Sequence, residues 1–135
     1  MQDLEAIAAN VVDAALHLHR DLGPGLLESV YETILAAKLA RLGHRVSCQL
    51  PISIEYDGLT FSKAFRIDLL VDECLLIEIK SVERLNGGHA KQLLTYLRLT
   101  RQPLGLLINF GGETLKEGLC RSSTTTSPPR LRAFA

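Results

Sequence analysis

Asp68 and Glu78 are the two residues whose types and surroundings point most directly to chemistry. Each is an acid inside an apolar run, Phe65-Arg66-Ile67-Asp68-Leu69-Leu70 and Leu76-Ile77-Glu78-Ile79-Lys80. Burying a carboxylate is costly unless it is paired or holds a cation. Both runs read as adjacent strands of a meander. Glu78 and Lys80, two residues apart, share one face of their strand, while Ile77 and Ile79 point the other way. Asp68, Glu78 and Lys80 can therefore converge at one pole of the sheet. Two carboxylates with a nearby peptide carbonyl, here that of Ile79, form a hard oxygen site suited to Mg²⁺ or Mn²⁺. Beside it, the Lys80 ammonium could orient or help deprotonate a water, or stabilise charge developing on a phosphate. The same residues could instead form an inward-facing Glu–Lys ion pair that closes the sheet end.

Two helical pairs could face that pole. Gln92 and Tyr96 lie at i and i+4 and share a helix face, offering an amide and a phenol. Glu28 and Tyr31 lie at i and i+3, with Glu32 one turn beyond Glu28, so Glu28 could add a carboxylate to the same metal. Taken singly, each of these reads as a surface or boundary residue.

The elements that must position these residues follow from hydrophobic periodicity. Leu4, Ile7, Ala8, Val11, Val12, Ala15 and Leu18 repeat at helical spacing and predict a first helix. Asp21-Leu22-Gly23-Pro24-Gly25 breaks it. A second helix is expected from Gly25 or Leu26 to the stop at Gly43, in a hairpin with the first. The alternation of Val46, Cys48, Leu50, Ile52 and Ile54 then predicts a half-buried strand, with Pro51 marking an edge or bulge. Tyr56-Asp57-Gly58-Leu59 is a hairpin signal, and Thr60 to Val71 is the return strand. Cys74 to Lys80 is apolar enough for burial on both faces. A third helix, about His89 to Thr100, leads past Pro103 to a last strand, Leu104 to Phe110, closed by Gly111-Gly112. The order predicts an α/β sandwich around a mixed sheet of about four strands, with a crossover joining parallel strands. It spans one domain, 1–120, followed by a flexible Ser/Thr/Pro/Arg tail, 121–135.

With 135 residues, 47% hydrophobic and 22% charged, the chain has material for one core, and that core must be aliphatic because Trp is absent. Fifteen basic and fifteen acidic side chains balance to zero, which argues against a surface that grips nucleic acid all over. The balance is −4 up to Asp57 and +4 beyond it, with Lys80, Arg84, Lys91, Arg98 and Arg101 facing only Glu83 in one stretch. Three separated cysteines, Cys48, Cys74 and Cys120, read as buried free thiols, not as a disulfide or zinc set. His17 and His19 diverge on their helix, and His44 and His89 read as solvated loop residues. The N-terminus has no signal-peptide pattern, and no run nears the roughly 18 apolar residues of a membrane span, so a cytoplasmic location is expected.

Taken together, Gly25-x-x-Glu28-x-x-Tyr31, Asp68, Glu78-Ile79-Lys80 and Gln92-x-x-x-Tyr96 resemble the GxxExxY protein family, a branch of the PD-(D/E)XK nuclease-like superfamily. The resemblance runs from about His17 to Phe110. It implies a PD-(D/E)XK sandwich in which Glu28, Asp68 and Glu78 hold the metal and Lys80 assists the attacking water. Gln92 and Tyr96, with Tyr31 of the first motif, would support the substrate side. Lys91 and Arg98, seven apart on one helix face, would steer the backbone. The small size and neutral charge depart from a free-standing nuclease, which leaves room for a protein partner or a homo-oligomer.

Two readings of function follow. The first is a metal-dependent phosphodiesterase acting on nucleic acid, DNA before RNA. The second is a non-catalytic module for interaction or nucleic-acid binding, which neutral charge favours. The intact set of mutually repelling acids speaks against it, since they have no use at one pole without a cation.

Overall fold

The computed structural model describes residues 3–124. Helix α1 (Leu4–Leu22) is capped by the Asp3 carboxylate, which accepts the Ala6 N–H at 2.7 Å. It runs four residues beyond Leu18, the last apolar position of its stripe. Helix α2 (Glu28–Arg41) begins later than expected, because Gly23 and Gly25 adopt φ of +71° and +109° and keep the chain turning. Strands β1 (Val46–Tyr56), β2 (Leu59–Val71) and β3 (Leu75–Lys80) form the meander, and helix α3 (Gly87–Thr100) crosses to β4 (Leu104–Asn109). The β1–β2 turn has positive φ at both Asp57 and Gly58, the backbone a two-residue hairpin demands.

The sheet has five strands in the order β1-β2-β3-β4-β5, with β3 and β4 parallel and the other neighbours antiparallel. The strand missing from the sequence expectation is β5 (Leu119–Ser123). A short 3-10 turn, Lys116–Gly118, reverses the chain so that Leu119 pairs with Ile108 and Ser123 with Leu104. As a polar, half-buried edge strand β5 carries little hydrophobic signal. It takes in residues to Ser123, past the boundary at 120, while residues 125–135 of the expected tail lie outside the described residues.

Both faces of the sheet are covered. On one side α1 and α2 pack Val11, Leu18, Leu35 and Leu39 against Leu69, Ile77, Ile79 and Ile108. On the other, α3 packs Leu93 and Leu97 against Leu70, Leu76 and Leu107. Three local expectations are corrected. Cys48 is exposed and Cys74 and Cys120 are half-buried. His44 is buried, its ring held between Asn10 (3.0 Å) and the Asp72 carboxylate (2.6 Å), which ties α1 to the β2–β3 turn. His89 sits in the first turn of α3 and accepts the Asn86 N–H at 3.1 Å, completing a reciprocal cap with the Asn86 side chain.

Asn109, at the end of β4, fixes the segment that follows Lys80. Its buried amide accepts the Val82 N–H at 3.0 Å and donates to the Val82 carbonyl at 2.9 Å. Gly111 lies so close that a Cβ there would stand 2.2 Å from the Val82 carbonyl oxygen. Because the obstacle is backbone, Gly111→Ala is expected to destabilise the fold by on the order of 2 kcal/mol. The urea midpoint checks this, and a wild-type midpoint would contradict it.

Candidate active site

The β2–β3 ladder pairs Leu69 with Ile77, Leu70 with Leu76 and Val71 with Leu75, and goes no further. The next pair in that register is Asp68 and Glu78. There the ladder pairing stops, and side chains take up backbone N–H groups. The Ile79 N–H donates to Asp68 Oδ2 at 2.7 Å, and the Asp68 N–H points to Glu78 Oε1 at 3.4 Å. The Asp68 carboxylate thus serves a peptide group, the Ile79 N–H, that pairing with β2 would otherwise have used. In a strand, a residue's C=O points to the same side as its N–H, so the Ile79 carbonyl faces the same opening.

Glu78 is only 5% exposed. Burial, followed by repulsion from the Asp68 charge, pushes its carboxyl up to about 8, while the Lys80 ammonium acts weakly the other way. Lys80 itself is half-buried at the end of β3, and its carbonyl accepts the Phe110 N–H at 2.8 Å.

Tyr96 reaches the pair from α3. Its ring stacks on Phe65 at 4.0 Å between centroids, and its phenol is pushed up by burial and by the charges of Glu78 and Asp68. Gln92 lies one turn earlier on the same face and is exposed. Lys91 and Arg98 are also exposed, but helical geometry places them on the side away from Leu93 and Leu97, so they are not gathered with Gln92 and Tyr96.

From α2 the site receives acids in a different arrangement from the expected one. Glu28 is exposed and lines a depression with Leu26, Leu27 and Ser81, just past the end of β3. Glu32, half-buried, is the acid tied to the strands. Burial raises its carboxyl, the Gln49 hydrogen bond opposes this, and the charges of Asp68 and then Glu28 add to the rise. Tyr31 belongs to the core and not to a substrate surface. Its ring is fully buried and stacked on Phe110 at 4.5 Å. Its hydroxyl donates to the Gly23 carbonyl at 2.5 Å and accepts the Leu26 N–H at 3.2 Å, locking the loop that sets α2.

Sequence reasoning missed Gln49, whose amide contacts both Glu32 and Asp68, and Asn109, which anchors the chain after Lys80. Asn109 had a legible signal, a polar residue closing the apolar run Leu104 to Phe110. Gln49 had none.

Among the described residues no three His, Cys, Asp or Glu side chains stand as a ready ligand cage for a metal. The donor chemistry still fits a small hard dication, which is commonly held by one or two carboxylates, with waters and substrate phosphates completing its shell. Asp68 and Glu78 are two such carboxylates, and a cation beside them would offset both the burial and the Asp68 charge that hold the Glu78 carboxyl up.

The profile of the PD-(D/E)XK nuclease superfamily matches residues 5–122. The chain belongs to this superfamily, and its mixed five-stranded sheet flanked by helices is consistent with that fold. No curated protein and no solved structure matches it. None of the described helices is long and apolar enough to cross a membrane.

The raised Glu78 carboxyl has a consequence for stability. Between its ordinary value of 4.5 and about 8, the folded protein retains a proton that the unfolded chain has released, so stability declines as pH rises through that window. Glu78→Gln removes the penalty and keeps an acceptor for the Asp68 N–H. In EDTA it is expected to raise the melting temperature by about 5 °C or more at pH 9 and to change it little at pH 5. An equal shift at both pH values would contradict the assignment.

Proposed function

We propose that this protein is a divalent-metal-dependent nuclease of the GxxExxY branch that hydrolyses phosphodiester bonds in nucleic acid, with DNA the first substrate to test. The observation that carries the reading is the meeting of Asp68 and Glu78 where the β2–β3 ladder opens, with Lys80 two residues further along the same strand.

Asp68, Glu78 and the Ile79 carbonyl would hold Mg²⁺ or Mn²⁺, joined by acids of α2, Glu28 among them. A dication in this place supplies charge neutralisation for a phosphate and a lower pKa for water. Lys80 would orient the attacking water and offset charge on the phosphate as a P–O bond to water forms and the bond to the leaving nucleotide breaks. Tyr96 and Gln92 would contact the substrate beside the scissile bond. Lys91 and Arg98, on the outer face of α3, would meet phosphates farther out, so they would govern affinity more than turnover. With no net charge to draw in a polyanion, a protein partner or a second copy of the chain would add to the grip on the substrate.

The test is incubation of wild-type, Lys80→Ala and Asp68→Ala proteins with single- and double-stranded DNA and RNA in Mn²⁺, Mg²⁺ or EDTA. Cleavage is expected only with metal, and each substitution should slow it by about 100-fold or more. Cleavage unchanged by both substitutions would refute the roles given to these residues. Folded protein inert in every lane would favour a non-catalytic binding module, the reading that the balanced charge suits.

A further inference from the structure

We propose that Gln49 is a positioning residue for the cation site, drawing Glu32 on α2 to Asp68 on β2 so that Glu32, more than Glu28, is the helix acid set beside the strand pair. This rests on the metal-dependent reading above and adds a residue to it.

The contact geometry is specific. Gln49 Nε2 lies 2.7 Å from Glu32 Oε1 and 3.2 Å from Asp68 Oδ1. An amide nitrogen carries two hydrogens, so it can serve both carboxylates at once. No other side chain is hydrogen-bonded to both of these acids among the described residues. Without the amide, two anions would face each other across the α2–sheet junction, and the long Glu32 side chain would be free to swing into solvent.

The backbone is committed to this contact. Gln49 has φ of +50°, a left-handed conformation that glycine or asparagine adopts with less strain. Its effect shows in the packing of β1. Val46, Leu50 and Ile52 are all even-numbered and should share a face, yet Val46 joins the α1/α2 core while Leu50 and Ile52 join the α3 core. The partner strand changes face at the same level, since Ile67 belongs to the α3 core and Leu69 to the α1/α2 core. The hairpin crosses over at Gln49 and Asp68, turning the Gln49 amide toward the acids. A residue less suited to this backbone than glycine has a side chain long enough to span two carboxylates.

Gln49→Gly and Gln49→Asn separate reach from backbone, since both accommodate positive φ and neither can bridge the two acids. The measurement is Mn²⁺ affinity by titration calorimetry on the full chain, beside melting temperature in EDTA. Both variants are expected to melt at or above the wild-type temperature and to bind Mn²⁺ about 10-fold more weakly. Glu32→Gln should weaken binding similarly, and adding Gln49→Gly to it should change little further, because the two act through one contact. Wild-type affinity in both Gln49 variants, with wild-type protein binding Mn²⁺, would overturn the positioning role and leave the metal site standing. Melting well below wild type in both would make Gln49 a fold residue and overturn the proposal. Absence of Mn²⁺ binding by wild-type protein would overturn the metal reading and this proposal with it.

Discussion

The early end of the β2–β3 ladder is the constraint around which the site is built. Three residue pairs zip normally, and beyond them the Ile79 N–H is received by the Asp68 carboxylate in place of a strand carbonyl, while Glu78 Oε1 lies 3.4 Å from the Asp68 N–H. This gives Asp68 and Glu78 a structural occupation beside the chemical one proposed for them. It also explains how two acids come to lie inside an apolar sandwich. One receives a strong peptide donor at 2.7 Å, whereas the other has a long peptide contact, the Asp68 carboxyl beside it and little solvent, so burial and then the Asp68 charge drive it toward its neutral form. A cation at this pair would offset the cost of ionising Glu78.

The remainder of the fold holds this opening from three directions. The Tyr31–Phe110 stack and the Tyr31 hydroxyl fix α2 and its acids from one face of the sheet. The Phe65–Tyr96 stack fixes α3 from the other face, delivering a phenol to the same pole. From the neighbouring strand, Asn109 clamps Val82 by both its N–H and its carbonyl and so limits where the chain carrying Lys80 can go. At the opposite end of β2, the Asn10–His44–Asp72 contacts tie helix to turn away from the site. Positioning therefore comes chiefly from buried rings and satisfied amides.

Much of this was legible in the sequence because the signals were local. Acids interrupting the apolar runs of β2 and β3 marked Asp68 and Glu78. The two-residue spacing of Glu78 and Lys80 fixed their common face, and Asp57-Gly58 marked the turn that pairs β2 with β1. What escaped depended on long-range pairing. Strand β5 is polar and gains its place only by hydrogen bonding to β4. The partners of His44 lie in segments 34 and 28 residues away, so nothing near it announced burial. Tyr31 sits in a motif that suggests substrate contact, but its side-chain direction is set by Phe110, which enters from the far end of the chain. Gln49 was hidden because a left-handed residue in mid-strand breaks the alternation used to read β1.

The proposed cation site lies where the β2–β3 pairing ends, at Asp68 and Glu78. Its most direct test is a two-dimensional amide NMR titration of ¹⁵N-labelled protein with substoichiometric Mn²⁺, whose unpaired electrons broaden nearby signals. The backbone amides of Asp68 and Ile79 and the side-chain amide of Gln49 are expected to broaden first, before the backbone amides of Asp72 and Glu117. Broadening that begins elsewhere, or that spreads evenly over the acidic surface, would contradict it.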